Sequence, residues 1–250
     1  MNSGRSLENV DNFIRRNTAF GGVDGFEQSF EAIRQRLRQV AAIIAKTLQY
    51  ILQPHQIQQG HPTKRFFAEL DSHQAFWVKS AFSIADKIRR DHCEDNPAKK
   101  HGYTFDNFLH RMNDIIRFRI VCNFLTDVDA VTAIFCRELP AQGVQIVTGP
   151  TDRIRIEPEQ RKRGHRAIHF ECRSPAIGEE RYPFELQIMT LLQYAWDKKD
   201  HFLIYRRERS GIEVPLEHRM SIFAASEMLY VADEHLDTLR RRMEREEQRP

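Results

Sequence analysis

The sequence predicts an α+β fold: a mixed β-sheet of about five strands flanked by helices, with helical extensions at both ends. Several short segments alternate apolar and polar residues, as half-buried strands do, and longer segments repeat apolar residues every three or four positions, as amphipathic helices do. The connections between the predicted strands are short and rich in turn-forming residues. This favours antiparallel pairing over an all-parallel, doubly wound sheet.

The composition predicts a soluble, cytoplasmic protein with no membrane partner. Hydrophobic residues make up 41% of the 250 residues, and the formal net charge is +3. This mild basicity does not by itself indicate a nucleic-acid partner. The four cysteines include no C-x-x-C pair, which predicts reduced thiols and argues against structural zinc. The N-terminus lacks the apolar core of a secretory signal, and no apolar run approaches the ~20 residues that span a membrane.

The first half of the chain is predicted to be mainly helical. Apolar residues at four- and three-residue spacing predict a long helix over 26–52 that ends before Pro54. Its outer face carries Arg34, Arg36, Arg38 and Lys46. Further helices are predicted over 66–90 and 104–112, after a short helical pattern around 7–15.

The second half is predicted to contain the sheet. A strand follows Asp114, with Arg117 and Arg119 on its polar face. The remaining predicted strands are 144–147, 154–157, 166–173 and 182–190. Helices are predicted over 126–139, 190–209 and 216–247.

Three features of this half indicate a phosphate-binding site. A basic loop with Arg161, Lys162 and Gly164 suits an anionic ligand, because cationic side chains pair with phosphate oxygens and a glycine lets the backbone approach. Asp114 and Glu185 place carboxylates on two strands, and Mg²⁺ takes one or two carboxylates together with water and phosphate oxygens. A surface glutamate on an edge strand is the alternative interpretation of Glu185. No P-loop or kinase glycine loop is present.

At these positions the chain resembles the synthetase domain of RelA/SpoT-type (p)ppGpp synthetases. The family pattern D-I-x-G-I-R-I is met by DIIRFRI at 114–120, and G-Y-R-S-x-H by GHRAIH at 164–169. The pattern E-x-Q-I-R-T is met by ELQIMT at 185–190, and the following Ala-Trp, His and Tyr positions by residues 194–206. Order and spacing agree over about 95–207.

The resemblance implies a nucleotidyltransferase-like fold and Mg²⁺-dependent transfer of pyrophosphate from ATP to the 3′-hydroxyl of a guanine nucleotide. Asp114 and Glu185 would bind the metal, and Glu185 would also act as general base. The ring of His165 would stack on the acceptor base. The other implied acceptor contacts are Arg166, His169, Gln187, Arg161 and Lys162. The implied ATP contacts are Arg119, Arg117, Lys87 and Arg90.

Three departures from the family pattern affect the nucleotide contacts. His165 stands in place of a tyrosine, Met189 in place of an arginine, and Arg117 in place of a glycine. Met189 removes a phosphate-binding charge, for which Arg117, beside the metal aspartate, would compensate. The upstream ATP-binding motif of the family is not legible among the basic residues between 87 and 100.

The resemblance also implies a domain organisation and leaves alternatives open. We expect a helical N-terminal extension over 1–65, a synthetase domain over 66–210 and a C-terminal helix over 211–250. The layout is that of a small alarmone synthetase, in which flanking helices can form homo-oligomers. Two alternative functions are pyrophosphorylation of the tRNA 3′ end, as in toxin-type relatives, and a degenerate domain that binds a nucleotide or a partner without catalysis.

Overall fold

The computed structural model describes residues 3–58, 68–70, 77–95, 100–156, 164–209 and 211–247. It confirms the α+β class. The helices are α1 (Ser3–Asn17), α2 (Val23–Gln58), α3 (Ala81–His92), α4 (Phe108–Arg111), α5 (Leu125–Ala141), α6 (Leu191–Asp200), α7 (Arg206–Arg209) and α8 (Leu216–Glu247). The strands are β1 (Ala68–Leu70), β2 (Ile116–Cys122), β3 (Gln145–Asp152), β4 (Ile168–Arg173) and β5 (Pro183–Thr190).

The sheet has the strand order β1-β2-β5-β4-β3. Strands β2 and β5 pair in parallel, and the other neighbours are antiparallel, so the sheet is mixed as predicted. Four strands of six to eight residues form its main part, and the three-residue β1 extends one edge.

One face of the sheet forms the hydrophobic core. In β2 the alternate residues from Ile116 to Cys122 are buried, whereas the residues between them are partly exposed. Helix α5 packs on strands β2, β3 and β5, and α2 contacts both β2 and α5. The buried residues of α2, including Leu37, Ile44 and Leu48, belong to the same hydrophobic cluster as the strands. The opposite face of the sheet is therefore left for polar side chains.

The long N-terminal helix is confirmed, although its predicted end is wrong. Helix α2 begins at Val23 and continues through Pro54 to Gln58. Most of its predicted apolar positions, among them Phe26, Phe30 and Ile51, are buried, and Ile33 is partly buried.

The prediction of one helix over 66–90 is wrong in its first half. Residues 68–70 form strand β1, and α3 begins only at Ala81, after the side chain of Ser80 accepts a hydrogen bond from the Ser83 amide. Before this cap the chain pairs with the start of β2: the Arg117 amide donates to Trp77 and the Lys79 amide donates to Ile115, each at 2.9 Å. Backbone pairing with β2 therefore takes precedence over the helical pattern.

The two strands predicted at 144–147 and 154–157 are also corrected. A single strand, β3, covers 145–152, and residues 154–156 form a bend. The Asp152 carboxylate accepts hydrogen bonds from the amides of Ile154 (2.7 Å) and Arg155 (3.2 Å), which turns the chain at the point where the second strand was expected. The helix predicted over 104–112 is shortened to α4.

The C-terminal helices agree with the prediction in extent. Helix α6 begins after Thr190, continues through a π-helical turn at His201–Tyr205 and ends as α7. The π-helical turn was not predicted. The three predicted domain ranges stay a prediction. Among the residues described, no helix combines the length and hydrophobicity needed to cross a membrane.

Candidate functional site

Polar side chains form two rows across the open face of the sheet. The first row contains Arg117, Glu185 and Glu171, which occupy matching positions on β2, β5 and β4. The second row contains Arg119, Gln187 and His169 on the same three strands. Side chains on alternate strand positions share a face, so the pairing of β2 with β5 brings these residues together.

Two adjoining cavities lie over these rows. The main cavity has a volume of about 590 Å³, and its lining includes Lys79, Asp114, His165, His169 and Gln187. Helix α2 adds Arg34 and Arg38 to its wall. The second cavity, of about 320 Å³, is lined by Trp77, Lys198, Phe202 and Arg206. Both cavities share Arg117, Arg119, Asp197 and His201.

Asp114, in the turn two residues before β2, is held by two lysines. Its Oδ2 accepts a short hydrogen bond from Lys79, and its Oδ1 lies 2.7 Å from the Nζ atom of Lys87 on α3. Burial opposes ionisation of Asp114, but the two ammonium groups outweigh it and hold the pKa of the carboxyl well below its usual value. Burial also lowers the pKa of Lys79 to about 8, against the opposing effect of Asp114. This corner of the cavity therefore carries an ionised carboxylate between two amines.

Glu185 is paired with His169. The Nδ1 atom of His169 lies 2.9 Å from Glu185 Oε1, and both side chains are largely buried. Burial raises the pKa of Glu185, but the contacts with His169 and the charge of Arg117 outweigh it and lower the pKa to about 2. Burial also lowers the pKa of His169. Both pKa shifts fit a neutral His169 imidazole whose protonated Nδ1 donates a hydrogen bond to the ionised Glu185 carboxylate.

Asp197 of α6 joins the second row to the loop before β4. Its Oδ2 lies 2.8 Å from an Arg119 guanidinium nitrogen, and its Oδ1 lies 3.1 Å from His165 Nδ1. Arg119 also donates to Gln187 Oε1 at 3.1 Å. Burial raises the pKa of Asp197, but its partners His165 and Arg119 outweigh that effect and lower it. One ionised carboxylate thus fixes both a guanidinium and an imidazole at the cavity wall.

Two imidazole nitrogens in the cavity wall are buried without a partner. Within the described ranges, neither His165 Nε2 nor His169 Nε2 makes a hydrogen bond. The two rings meet edge to face with centroids 5.4 Å apart. A buried polar atom without a partner costs about 1–3 kcal/mol, so these atoms are suited to hydrogen-bond a ligand in the main cavity.

The structure brings many of the predicted site residues together but places two of them elsewhere. Arg166 is only 2% exposed; its guanidinium donates to the Ile154 carbonyl and to Glu227 of α8, and it lies over the Tyr230 ring. Arg90 pairs with Asp86 at 3.2 Å and lines neither cavity. Lys87 lines neither cavity and is connected to the site by its ion pair with Asp114. Arg161 and Lys162 lie outside the described residues.

Gly164 has a packing role that differs from the predicted one. Its φ is +74°, and a Cβ atom there would lie 3.1 Å from both Ser226 Cβ and Trp196 Cζ2. The Ser226 hydroxyl donates to the Gly164 carbonyl. The side of this glycine that was expected to admit a phosphate is therefore occupied by α6 and α8.

Met189 lies below the cavity surface, and the site contains two residues that the sequence did not predict. Met189 is fully buried, so the position of the missing family arginine is not at the cavity surface. Sequence reasoning missed Lys79 and Asp197. Lys79 lies just before the Ser80 cap of the helix that carries Lys87, and the erroneous prediction of one long helix over 66–90 concealed this signal. Asp197 gave no signal beyond a charge on the polar side of a helix.

The arrangement is suited to polyphosphate chemistry. Ionised carboxylates alternate with lysine and arginine side chains over cavities large enough for nucleotides. The described residues contain no group of three or more acidic, histidine or cysteine side chains that could hold a metal ion by themselves. Any Mg²⁺ would thus need ligands from a substrate in addition to the carboxylates.

Comparison with protein families identifies a family that covers most of the second half of the chain. The family model described as the region found in RelA / SpoT proteins matches residues 77–210, more than half of the chain. No curated protein matches the chain in sequence.

Solved structures of similar fold cover nearly all of the chain. The small alarmone synthetase 1 from Bacillus subtilis superposes with a TM-score of 0.60 at 21% identity, over 86% of this chain and 100% of that one. A GTP pyrophosphokinase family protein from Streptococcus pneumoniae gives 0.65 at 21% identity, over 86% and 94%. The Bacillus subtilis enzyme bound to its product pppGpp gives 0.62 at 23% identity, over 87% and 99%. At these identities the likeness shows a shared fold.

Proposed function

The chain belongs to the family defined by the region found in RelA and SpoT proteins, and from this membership we propose that it is a Mg²⁺-dependent pyrophosphokinase. It transfers pyrophosphate from ATP to the 3′-hydroxyl of a guanine nucleotide and so makes (p)ppGpp. The observation that carries the proposal is the pair of ionised carboxylates beside Arg117: Asp114, in the turn just before β2, and Glu185, on the parallel neighbouring strand β5.

The two adjoining cavities support a reaction between two nucleotides. Similar structures were solved with pppGpp and with AMPCPP, which favours nucleotides as the ligands of this chain as well. The acceptor occupies the main cavity, with its base against the His165 ring and its polar edges near the free Nε2 atoms. ATP occupies the second cavity, where Trp77 and Phe202 offer aromatic faces and Lys198 and Arg206 offer positive charge. The polyphosphate then crosses the shared wall at Arg117 and Arg119.

The carboxylates fit Mg²⁺ as a partner of the substrate. Both are ionised at neutral pH, and Mg²⁺ is usually held by one or two carboxylates plus water and phosphate oxygens. When bound, the ion neutralises charge on the polyphosphate. Lys79 and Lys87 contact Asp114 directly, so their ammonium groups balance the charge of that carboxylate, and Lys79 also lines the main cavity.

Glu185 takes the proton in this mechanism. The acceptor 3′-oxygen bonds to the β-phosphorus of ATP while the bond from that phosphorus to the α,β-bridging oxygen breaks, and AMP leaves with the electron pair. The hydroxyl proton passes to the carboxylate of Glu185, which His169 orients through Nδ1. Arg117 holds phosphate oxygens in line, and the paired cations Lys79 and Arg119 add positive charge to the cavity wall, since positioning and charge stabilisation account for most of such catalysis.

A transfer assay tests the proposal. The full chain is incubated with γ-labelled ATP and Mg²⁺, and GDP, GTP, ATP or bulk tRNA is offered in turn. We expect label on the guanine nucleotide with one AMP formed per transfer. Glu185→Gln should lower the rate by about 10²–10⁴-fold, because it removes the proton acceptor and keeps the shape of the side chain. Nucleotide binding by this variant, measured by calorimetry, should persist.

The control is Glu179→Gln, which makes the same change at an exposed glutamate before β5 and should transfer at the wild-type rate. If label appeared on tRNA and on no free nucleotide, the acceptor would be tRNA and not a guanine nucleotide. No transfer to any acceptor, with equal nucleotide binding by wild type and Glu185→Gln, would establish a domain that binds without catalysis.

A further inference from the structure

Two histidines in the wall of the main cavity, His165 and His169, are held by carboxylates in the same way. The Nδ1 atom of His165 lies 3.1 Å from Asp197 Oδ1, and the Nδ1 atom of His169 lies 2.9 Å from Glu185 Oε1. An ionised carboxylate accepts hydrogen bonds and donates none. Each neutral ring therefore carries its proton on Nδ1, and its lone pair is on Nε2.

The two Nε2 lone pairs meet no donor. Both Nε2 atoms are buried, and neither has a hydrogen-bond partner among the residues that the structure describes. Both rings nevertheless line the main cavity. Buried polar atoms in folded proteins are nearly always hydrogen-bonded, so each exception calls for an explanation. Two neighbouring exceptions that both offer a lone pair are suited to one electron-pair acceptor.

This arrangement is the one that metal-ligating histidines adopt. A histidine that binds a metal through one ring nitrogen usually donates its other N–H to a carboxylate, a backbone carbonyl or water. A carboxylate in that position fixes the orientation of the ring and makes the ligating nitrogen more basic. Both His165 and His169 have such a carboxylate at Nδ1, so both rings are prepared to bind through Nε2.

The separation of the two rings fits a single ion. Their centroids lie 5.4 Å apart, and their planes meet at 77°. A tetrahedral ion bound to both rings at about 2.0–2.1 Å would separate the imidazole centroids by roughly 5 Å. His169 is fixed in β4 and His165 in the loop just before it. One ion can therefore join the rings without a movement of the sheet.

The type of ligand selects the metal. Imidazole nitrogen suits Zn²⁺ and neighbouring first-row ions, whereas Mg²⁺ prefers oxygen. The carboxylates behind the two rings, Asp197 and Glu185, favour a cation there. They also offset the charges of the nearby Arg117 and Arg119. Within the described ranges no third acidic, histidine or cysteine side chain completes a ligand set, so water in the cavity would supply the remaining ligands.

We propose that His165 and His169 bind a divalent first-row metal ion such as Zn²⁺ through their Nε2 atoms. This site differs from the proposed Mg²⁺ site at Asp114 and Glu185, because its protein ligands are nitrogens. The family pattern has a tyrosine at position 165, which offers no nitrogen ligand, so the histidine pair is a departure of this chain from that pattern. Binding of the ion does not depend on the reaction proposed above.

Calorimetry with Zn²⁺ on the full chain, without nucleotide and in excess Mg²⁺, tests the site. The Mg²⁺ occupies oxygen ligands and leaves imidazole nitrogens free. Wild type should bind one Zn²⁺ per chain. His165→Tyr and His169→Gln each remove a ligand and should lower the affinity about 100-fold or more. Asp197→Asn keeps both ligands and should lower it by about 10–100-fold, as the loss of a carboxylate behind a ligating histidine does.

The visible absorption of bound Co²⁺ reports the ligands directly. Wild type should give the spectrum of a four-coordinate ion with nitrogen ligands, and His165→Tyr should abolish it. The side chain of His165 is 26% exposed, so this variant is expected to fold, and circular dichroism checks each variant.

Two other histidines supply matched controls. His201 lines the same cavity outside the pair, and His92 is exposed beside the exposed thiol of Cys93, where zinc can bind adventitiously. His201→Ala and His92→Ala should both bind Zn²⁺ as wild type does. A wild type that binds no Zn²⁺ would overturn the proposal. Binding that survives in His165→Tyr, or that is lost in His92→Ala, would overturn it as well.

Discussion

Arg117 and Glu185 stand directly opposite each other in the parallel pairing of β2 with β5. The Arg117 guanidinium makes no hydrogen bond and no ion pair with any residue that the structure describes, although it lines both cavities. Most other basic groups around the main cavity, such as Lys79 and Arg119, are already engaged with carboxylates. A half-buried guanidinium that lacks a partner is suited to receive an anion from solution.

We therefore expect Arg117→Ala to weaken polyphosphate binding with little loss of stability. The KM for ATP should rise about tenfold or more, since a hydrogen bond to a charged group contributes about 1.5–3 kcal/mol. Thermal unfolding should change little because no ion pair is lost. Steady-state kinetics and a melting curve measure both effects.

Arg90→Ala is the matched control for that prediction. Arg90 was also predicted from the sequence as an ATP contact, but it pairs with Asp86 outside the cavities. Its replacement should leave the KM for ATP unchanged. A larger effect of Arg90→Ala than of Arg117→Ala would contradict the position assigned to the polyphosphate.

Asp197→Asn should weaken the use of the acceptor guanine nucleotide more than the use of ATP. The amide keeps the shape of the side chain but loses the charge that holds His165 and Arg119. We expect the KM for the guanine nucleotide to rise about 10- to 100-fold, with a smaller change in the KM for ATP. Asp106→Asn, an exposed aspartate before α4, should match wild type. Equal changes for both substrates would mean that Asp197 supports the site as a whole.

The sequence was informative where periodicity determines the structure. Alternation placed Glu185 and Gln187 on the polar face of a strand, and this placement is correct because one face of β5 packs against α5. Lys79 and Asp197 could not be found in this way. Their roles depend on contacts between elements distant in sequence, and periodicity does not reveal such contacts. The acceptor role of Arg166 rested on the match of 164–169 to a family motif, and a motif does not reveal that the Arg166 side chain is buried against Glu227 of α8.

Gly164→Ala should destabilise the fold more than Gly178→Ala does. Both glycines have positive φ, +74° and +64°, so alanine adds about 1–2 kcal/mol of backbone strain at each. At Gly164 the new methyl group would also press on Trp196 and Ser226, whereas Gly178 faces open space. Overpacking typically costs a further 1–3 kcal/mol, roughly. Urea unfolding of both variants measures the difference; equal losses would mean that α6 and α8 do not confine Gly164.

The attachment of α8 should depend on pH through Asp233. Burial raises the pKa of this carboxyl from its usual value to about 6, although Thr190 and Gln193 donate hydrogen bonds that oppose the shift. The folded state therefore binds the proton more tightly than the unfolded state does. The stability that this proton contributes is complete below about pH 4 and is lost as the pH rises through about 6.

Asp233→Asn removes that dependence, because its amide stays neutral. The free energy of unfolding of wild type relative to Asp233→Asn should thus fall by at most about 3 kcal/mol between about pH 4 and pH 7. The comparison between the two proteins is needed because burial also lowers the pKa of His169 and His201, and a lowered histidine pKa changes stability with pH in the opposite direction. Glu213→Gln, at an exposed position before α8, should follow wild type. A difference that does not vary with pH would show that Asp233 has the same pKa in the folded and unfolded chain, and that α8 is held by hydrogen bonds indifferent to its charge.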